Sequence, residues 1–180
     1  MRARYRSPAS RTIRGRRRWS LSVQVPCPIC RSIRSDEEGL AGAARADPCE
    51  LLRIGGFRLR RHASPSPVAG WTIVDLVRHA ATIDELSEAE AGELGRIVAR
   101  ASAAIRAVTG CERVYVLSFA EAARHVHVHL VPRHEHDPRT AGWAIADLYR
   151  GVASGEVAAA DEAACLAAAT AIAAALRGGG

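Results

Sequence analysis

The stretch Arg124-His125-Val126-His127-Val128-His129-Leu130-Val131-Pro132-Arg133 places three of the chain's seven histidines at every second position, between branched apolar residues. Side chains on a β-strand alternate faces with period two. The spacing therefore predicts a strand with Val126, Val128 and Leu130 turned into a core and His125, His127 and His129 in a row on the opposite face. Strands favour β-branched and aromatic residues, so three histidines in strict alternation point to metal binding or to acid, base or nucleophilic work. With a rise of about 3.3 Å per residue, neighbouring imidazoles start about 7 Å apart and the outer two about 13 Å. One metal ion does not take all three, and at least one histidine has another role.

Working outward, Glu112 to Ser118 alternates as a second strand, joined to the histidine strand by the loop Phe119 to Ala123. Before it, Ser87-Glu88-Ala89-Glu90 has capping-box form. Ala91, Leu94, Ile97, Val98, Ala101, Ile105 and Val108 follow at helical spacing, which predicts a helix ending near Gly110. Gly70-Trp71-Thr72-Ile73-Val74-Asp75-Leu76-Val77-Arg78-His79 reads as a further strand that ends in a histidine. Glu50 to Arg61 reads as a hairpin turning at Gly55-Gly56, with Phe57 and Leu59 inward and Arg58 and Arg60 on a wet face. The result is an α+β domain: an antiparallel meander sheet, one long helix packed on it, and a C-terminal helix over the Ala-rich residues 157 to 177. Trp143 to Tyr149 is expected to form a strand or helix over the histidines.

Nearer the N-terminus, Cys27-Pro28-Ile29-Cys30 brackets a tight turn, and Ser32 to Pro48 reads as a loop or weak helix. The two thiols fit either a redox pair or half of a zinc site. An odd set of five cysteines, with no apolar signal segment, argues against a disulfide framework, and Cys49, Cys111 and Cys165 read as small buried residues. No apolar run reaches the eighteen or so residues of a membrane span, so the cytoplasm is the expected location.

The formal charge of +6 is local. Eight arginines precede Trp19, and removing them leaves −2 on residues 21 to 180. Residues 1 to 20 are expected to be a disordered, Arg-rich tail, the one segment suited to touching nucleic acid. His134 and His136 sit in a polar loop and read as solvated.

The pattern His125 to Val131, followed by Pro132-Arg133, resembles the signature of the histidine-triad (HIT) superfamily of nucleotide hydrolases and transferases. Gly70 to His79 is similar to that family's Gly-His-Thr-Leu-Val-Val-Pro-Lys-Lys-His, with Trp71, Asp75 and Leu76 as departures. The resemblance implies a HIT-like catalytic domain over residues 21 to 150, with residues 151 to 180 as a helical extension. It also implies attack on an α-phosphorus by His127, with His129 contacting phosphate or helping the leaving group. Ser118 and Glu121, in the segment leading to the triad, are the further nucleotide- and phosphate-contacting candidates. In zinc-bearing relatives the Cys pair joins two histidines, which here match His79 and His125, so a structural zinc held by Cys27, Cys30, His79 and His125 is implied.

A nucleotide substrate and a homodimer follow from the same resemblance. Two features depart from it: the loop Ala120-Glu121-Ala122-Ala123 lacks the family's Gly-Gln-Ser type sequence, and no carboxylate for ribose stands near His62 to Pro67. They keep open a catalytically weak, nucleotide-binding regulatory protein on the same fold, and a zinc-bearing RNA-binding module.

Overall fold

The protein is described by a computed structural model covering residues 27–40 and 49–178. The expectation for residues 1 to 20 lies outside the described residues. In chain order the elements are α1 (Pro28–Leu40), β1 (Glu50–Ile54), β2 (Phe57–Arg61), β3 (Thr72–Leu76), α2 (Glu88–Thr109), β4 (Arg113–Leu117), β5 (His127–Arg133), α3 (Ala144–Ser154) and α4 (Glu162–Gly178). The five strands form one antiparallel sheet in the order β1-β2-β3-β5-β4. The meander holds through β1 to β3. Helix α2 then carries the chain past the sheet to β4 at the edge, and β5 returns to fill the gap beside β3.

Helix α2 starts and stops where local chemistry dictates. Ser87 accepts from the Glu90 amide, the Glu90 side chain reaches back to the Ser87 amide, and Gly110 closes the helix with φ 69°. Its buried stripe of Leu94, Ile97, Ala101, Ala104 and Ile105 lies on one sheet face with Phe57, Leu59, Val74, Leu76, Val128 and Leu130. Burial of each large aliphatic there contributes about 1.5–3 kcal/mol. Ile172 and Leu176 of α4 belong to the same cluster, so the C-terminal helix is part of this core. Gly70, at φ 86°, enters β3 where a Cβ would collide with Thr109 Cγ2.

The opposite face differs from the sequence reading in three places. The N-terminal cysteines do not bracket an isolated turn, because α1 begins at Pro28 and includes Cys30. Arg58 is not on a wet face; it is 1% exposed, because α1 and Asp75 cover it. The regular strand starts at His127 rather than at Arg124. Pairing with β3 begins at Asp75 opposite His127, and upstream the Val126 amide turns to the Ala80 carbonyl. In the hairpin only Gly55 takes a positive φ, 51°. Helix α3 covers the far part of this face, packing Ile145, Leu148 and Val152 against Trp71, Ile73 and Val131. No helix among the described residues is long and apolar enough to cross a membrane.

Candidate active site and metal centre

Cys27 precedes α1 and Cys30 lies in its first turn, so both thiols emerge at one helix end. Ile29 and Ile33 seat that helix against Ala123 and Val77. Cys27 Sγ and Cys30 Sγ each lie 3.5 Å from His125 Nδ1, and Cys30 Sγ lies 3.3 Å from His79 Nδ1. The four donor atoms are all within 4.8 Å of one another. Zinc bonds of about 2.0–2.3 Å to S and N imply a tetrahedron with edges of about 3.3–3.8 Å; the three thiol–imidazole separations of 3.3 to 3.5 Å fit it, and the widest spread, 4.8 Å, exceeds it by about 1 Å.

His125 is fully buried, and its Nε2–H donates to the Leu76 carbonyl at 2.7 Å. Its Nδ1 is therefore the unprotonated nitrogen and faces the thiols, the tautomer a metal requires, with a carbonyl as the outer partner that orients it. Burial holds the His125 imidazole below its ordinary pKa and pushes the Cys30 thiol up, with Cys27 adding to the latter. Two thiols that share such a pocket lose their protons to a cation. Arg78 fixes the neighbouring His79 turn by donating from Nε and Nη2 to Glu90 at 2.6 and 2.7 Å, at the start of α2.

His127 carries its proton on the other nitrogen. Its Nδ1–H donates to the His125 carbonyl at 2.8 Å, which leaves the Nε2 lone pair free on a residue that lines a cleft of about 770 Å³. His129 lies beside it, ring centroids 5.2 Å apart, and its Nδ1 accepts from the Trp71 indole N–H at 3.1 Å. Burial pushes the His129 pKa down to about 3, with His127, Arg60 and His62 adding to the effect. Glu121 also lines the cleft. Ser118 does not; its hydroxyl donates to the His127 carbonyl at 2.8 Å, bracing the histidine strand. His134 and His136 contact one another at a tilt of 51° away from the cleft, with centroids 5.2 Å apart.

The sequence reading missed the cleft's walls. Six Phe, Tyr and Trp residues lie among the described residues, and five of them, Trp71, Tyr115, Phe119, Trp143 and Tyr149, line this cleft. Trp143 is 78% and Phe119 57% exposed, so flat apolar surface stands open next to the two histidines. In a chain with 4% aromatic residues, the signal available was that so few were left for the core.

Also missed was a buried charge cluster. Asp75 is fully buried and accepts from Arg58 Nε and Nη2 at 3.1 and 2.7 Å, and from Arg60 Nε and Nη2 at 2.7 and 3.2 Å. Arg58 Nη1 donates to Ser32 of α1 at 2.9 Å. Burial alone would raise the Asp75 pKa, but Arg60 and Arg58 overcome it and hold the carboxyl below its ordinary value. Arg58, Asp75 and His127 are successive cross-strand neighbours, so they share a face. Two guanidinium groups thus converge on one carboxylate beside the histidine strand. The warning in the sequence was an aspartate inside the apolar run Ile73-Val74-Asp75-Leu76-Val77.

No protein-family model and no curated protein matches the sequence. Solved structures do match in shape. A HIT-like protein involved in cell-cycle regulation from Bartonella henselae is 13% identical with a TM-score of 0.56, covering 83% of this chain and 96% of its own. A hypothetical histidine triad nucleotide-binding protein from Sulfolobus tokodaii is 16% identical at 0.57, with 83% and 93% covered. A zinc-bound histidine triad family protein from Mycobacterium smegmatis is 15% identical at 0.57, with 86% and 98% covered.

Proposed function

On the histidine-triad fold that this chain has, we propose a nucleotide phosphohydrolase or nucleotidyltransferase that acts at an α-phosphorus through His127. The observation that carries the reading is the His127 Nδ1–H held by the His125 carbonyl, which in the neutral ring puts the lone pair on Nε2 of a residue that lines the cleft. Neutral imidazole offers a nucleophilic nitrogen near pH 7 and leaves readily from phosphorus afterwards. In the first step the Nε2 lone pair forms an N–P bond, the bond to the leaving group breaks, and its electron pair departs with that group. The imidazolium so formed keeps its Nδ1–H on the His125 carbonyl. In the second step water, or another acceptor, bonds to phosphorus, loses its proton to solvent, and returns the N–P electron pair to Nε2.

The surroundings support this chemistry. Phosphoryl transfer depends on positioning and charge stabilisation; His129, whose Nδ1 accepts from Trp71, supplies an Nε2–H donor. The exposed rings of Trp143, Phe119 and Tyr149 offer stacking surface for a nucleobase. The Sulfolobus neighbour is described as nucleotide-binding and the Mycobacterium neighbour as zinc-bound, in keeping with both parts of the reading.

Cys27, Cys30, His79 and His125 would hold a zinc ion whose four-ligand shell leaves no open position, a structural role that ties α1 to the chain just before β5. Pairing of two copies is part of the same reading, and a dimer by light scattering at micromolar concentration is its expected outcome.

The test is a screen of dinucleoside polyphosphates and nucleoside phosphoramidates. Turnover that disappears in His127→Ala supports the assignment; full activity in that variant refutes it. Nucleotide binding without turnover would favour a regulatory protein, which the departures at Trp71 and in the loop 120–123 leave in play.

A further inference from the structure

The contact between Trp71 and His129 lies outside the chemistry assigned to His127 and restricts it. An indole N–H can only donate, so His129 Nδ1 is an acceptor and the proton of the neutral ring sits on Nε2. Protonating Nδ1 would set two N–H groups against each other and forfeit the bond. The rest of the surroundings works in the same direction. Arg60 on β2, His62 just beyond it and His127 on β5 disfavour a charged ring, while Asp75 on β3, the one neighbour favouring it, is committed to two guanidinium groups. On α3 the charged groups at the cleft, Asp147 and Arg150, pair with each other, and the loop before β5 contributes Glu121.

Trp71 is itself fixed, 6% exposed and packed by ring contacts with His62, Tyr149 and His129 at centroid distances of 5.0, 5.9 and 5.8 Å. His129 thus presents an Nε2–H that stabilises negative charge but is not given up, because a neutral imidazole losing it would become imidazolate.

Resting on the functional reading above, we propose that Trp71 is a specificity-determining positioning residue. It holds His129 as a donor that transfers no proton, and so limits the chain to nucleotides whose leaving group departs as a stable anion. Phosphoric anhydrides meet that condition: as the P–O bond breaks, its electron pair stays on the oxygen of a phosphate or nucleotide. Phosphoramidates do not, since breaking P–N without a proton would expel an amide anion. A missing general acid costs about 10²–10⁴-fold in rate.

The experiment uses the full chain with two probes, diadenosine tetraphosphate and adenosine 5′-phosphoramidate. The expected kcat/KM ratio favours the anhydride by about 100-fold or more. Trp71→Phe and Trp71→His lower that ratio by about tenfold or more, and phosphoramidate cleavage then rises with acid as His129 takes a proton. Nitrogen-15 NMR of the imidazoles gives an independent readout: His129 keeps the Nε2–H form without titrating between pH 8 and 5, and Trp71→Phe, which removes a bond made only to the neutral ring, moves its titration upward from the wild-type position.

Equal kcat/KM for both probes in the wild type overturns the proposal, as does a wild-type His129 that titrates near 6.5, the ordinary value. Phosphoramidate cleavage that is fast and is lost in Glu121→Gln overturns it too, by placing the acid on the loop. Turnover of neither probe refutes the functional reading and the substrate restriction with it; turnover of both at equal rate refutes the restriction alone.

Discussion

His125 and His127 stand two residues apart and use opposite nitrogens. At the metal end, His125 gives its Nε2–H to Leu76 and turns Nδ1 to two thiols. At the cleft end, His127 gives its Nδ1–H to His125 and leaves Nε2 free. Neither role resides in the imidazole itself. A backbone carbonyl in each case selects the tautomer, and the tautomer selects the chemistry. The two ends are also built differently. The metal end is assembled from three distant segments, around residues 27–30, 79 and 125, whereas the cleft end is one regular strand with aromatic walls.

The comparison breaks most sharply in His127→Ala. Turnover should fall by about 10⁴-fold or more, the scale on which a nucleophile is lost, while zinc content by metal analysis stays at about one equivalent. Loss of the metal along with activity would mean that the two ends are not separable. The reciprocal change, Cys27→Ser with Cys30→Ser, should abolish zinc binding and lower stability by about 4 kcal/mol at free zinc a thousandfold above Kd. Wild type that purifies metal-free with equal stability would remove the metal end from the account.

Asp75→Asn strikes between the ends, since Asp75 pairs opposite His127 and its partner Arg58 holds Ser32 of α1. Breaking a buried ion pair on one side costs about 3 kcal/mol or more, measured by urea unfolding, and zinc affinity should fall with it. Acid probes the cleft end more gently. His129 has an ordinary pKa of 6.5 when unfolded and about 3 when folded, so the unfolded chain binds the extra proton between those values. Stability should therefore fall as pH drops below 6.5 and recover as it rises, with a shallower slope in Trp71→Phe. The smallest effect belongs to a control on the far sheet face: Ser87→Ala removes the α2 cap and costs about 1 kcal/mol, with zinc and turnover unchanged.

The sequence made the sheet, the long helix and both ends of α2 readable, because period-two and helical spacing and a capping box are local signals. The four metal-site candidates come together in the structure, though spacing alone left Cys27 and Cys30 open between redox and metal roles. Arg58 was misread, and its pairing with Asp75 missed, for a non-local reason. An alternating arginine predicts a wet face unless something covers it, and the cover here is α1, a helix more than a dozen residues away in sequence. The tautomers of His125 and His127 were likewise out of reach, being fixed by carbonyls that only the bend before β5 brings near. Trp71 could be seen as a departure, but its partner His129 lies across the β3–β5 pairing.

The central claim is that His127 Nε2 bonds to phosphorus. Wild type mixed with a cleavable nucleotide, quenched rapidly and analysed by intact-mass and peptide mass spectrometry, measures this directly. The account predicts a mass increase of one nucleotidyl group, labile to acid and mapped to His127, absent in His127→Ala. Turnover without any adduct, or an adduct on another residue, would contradict it.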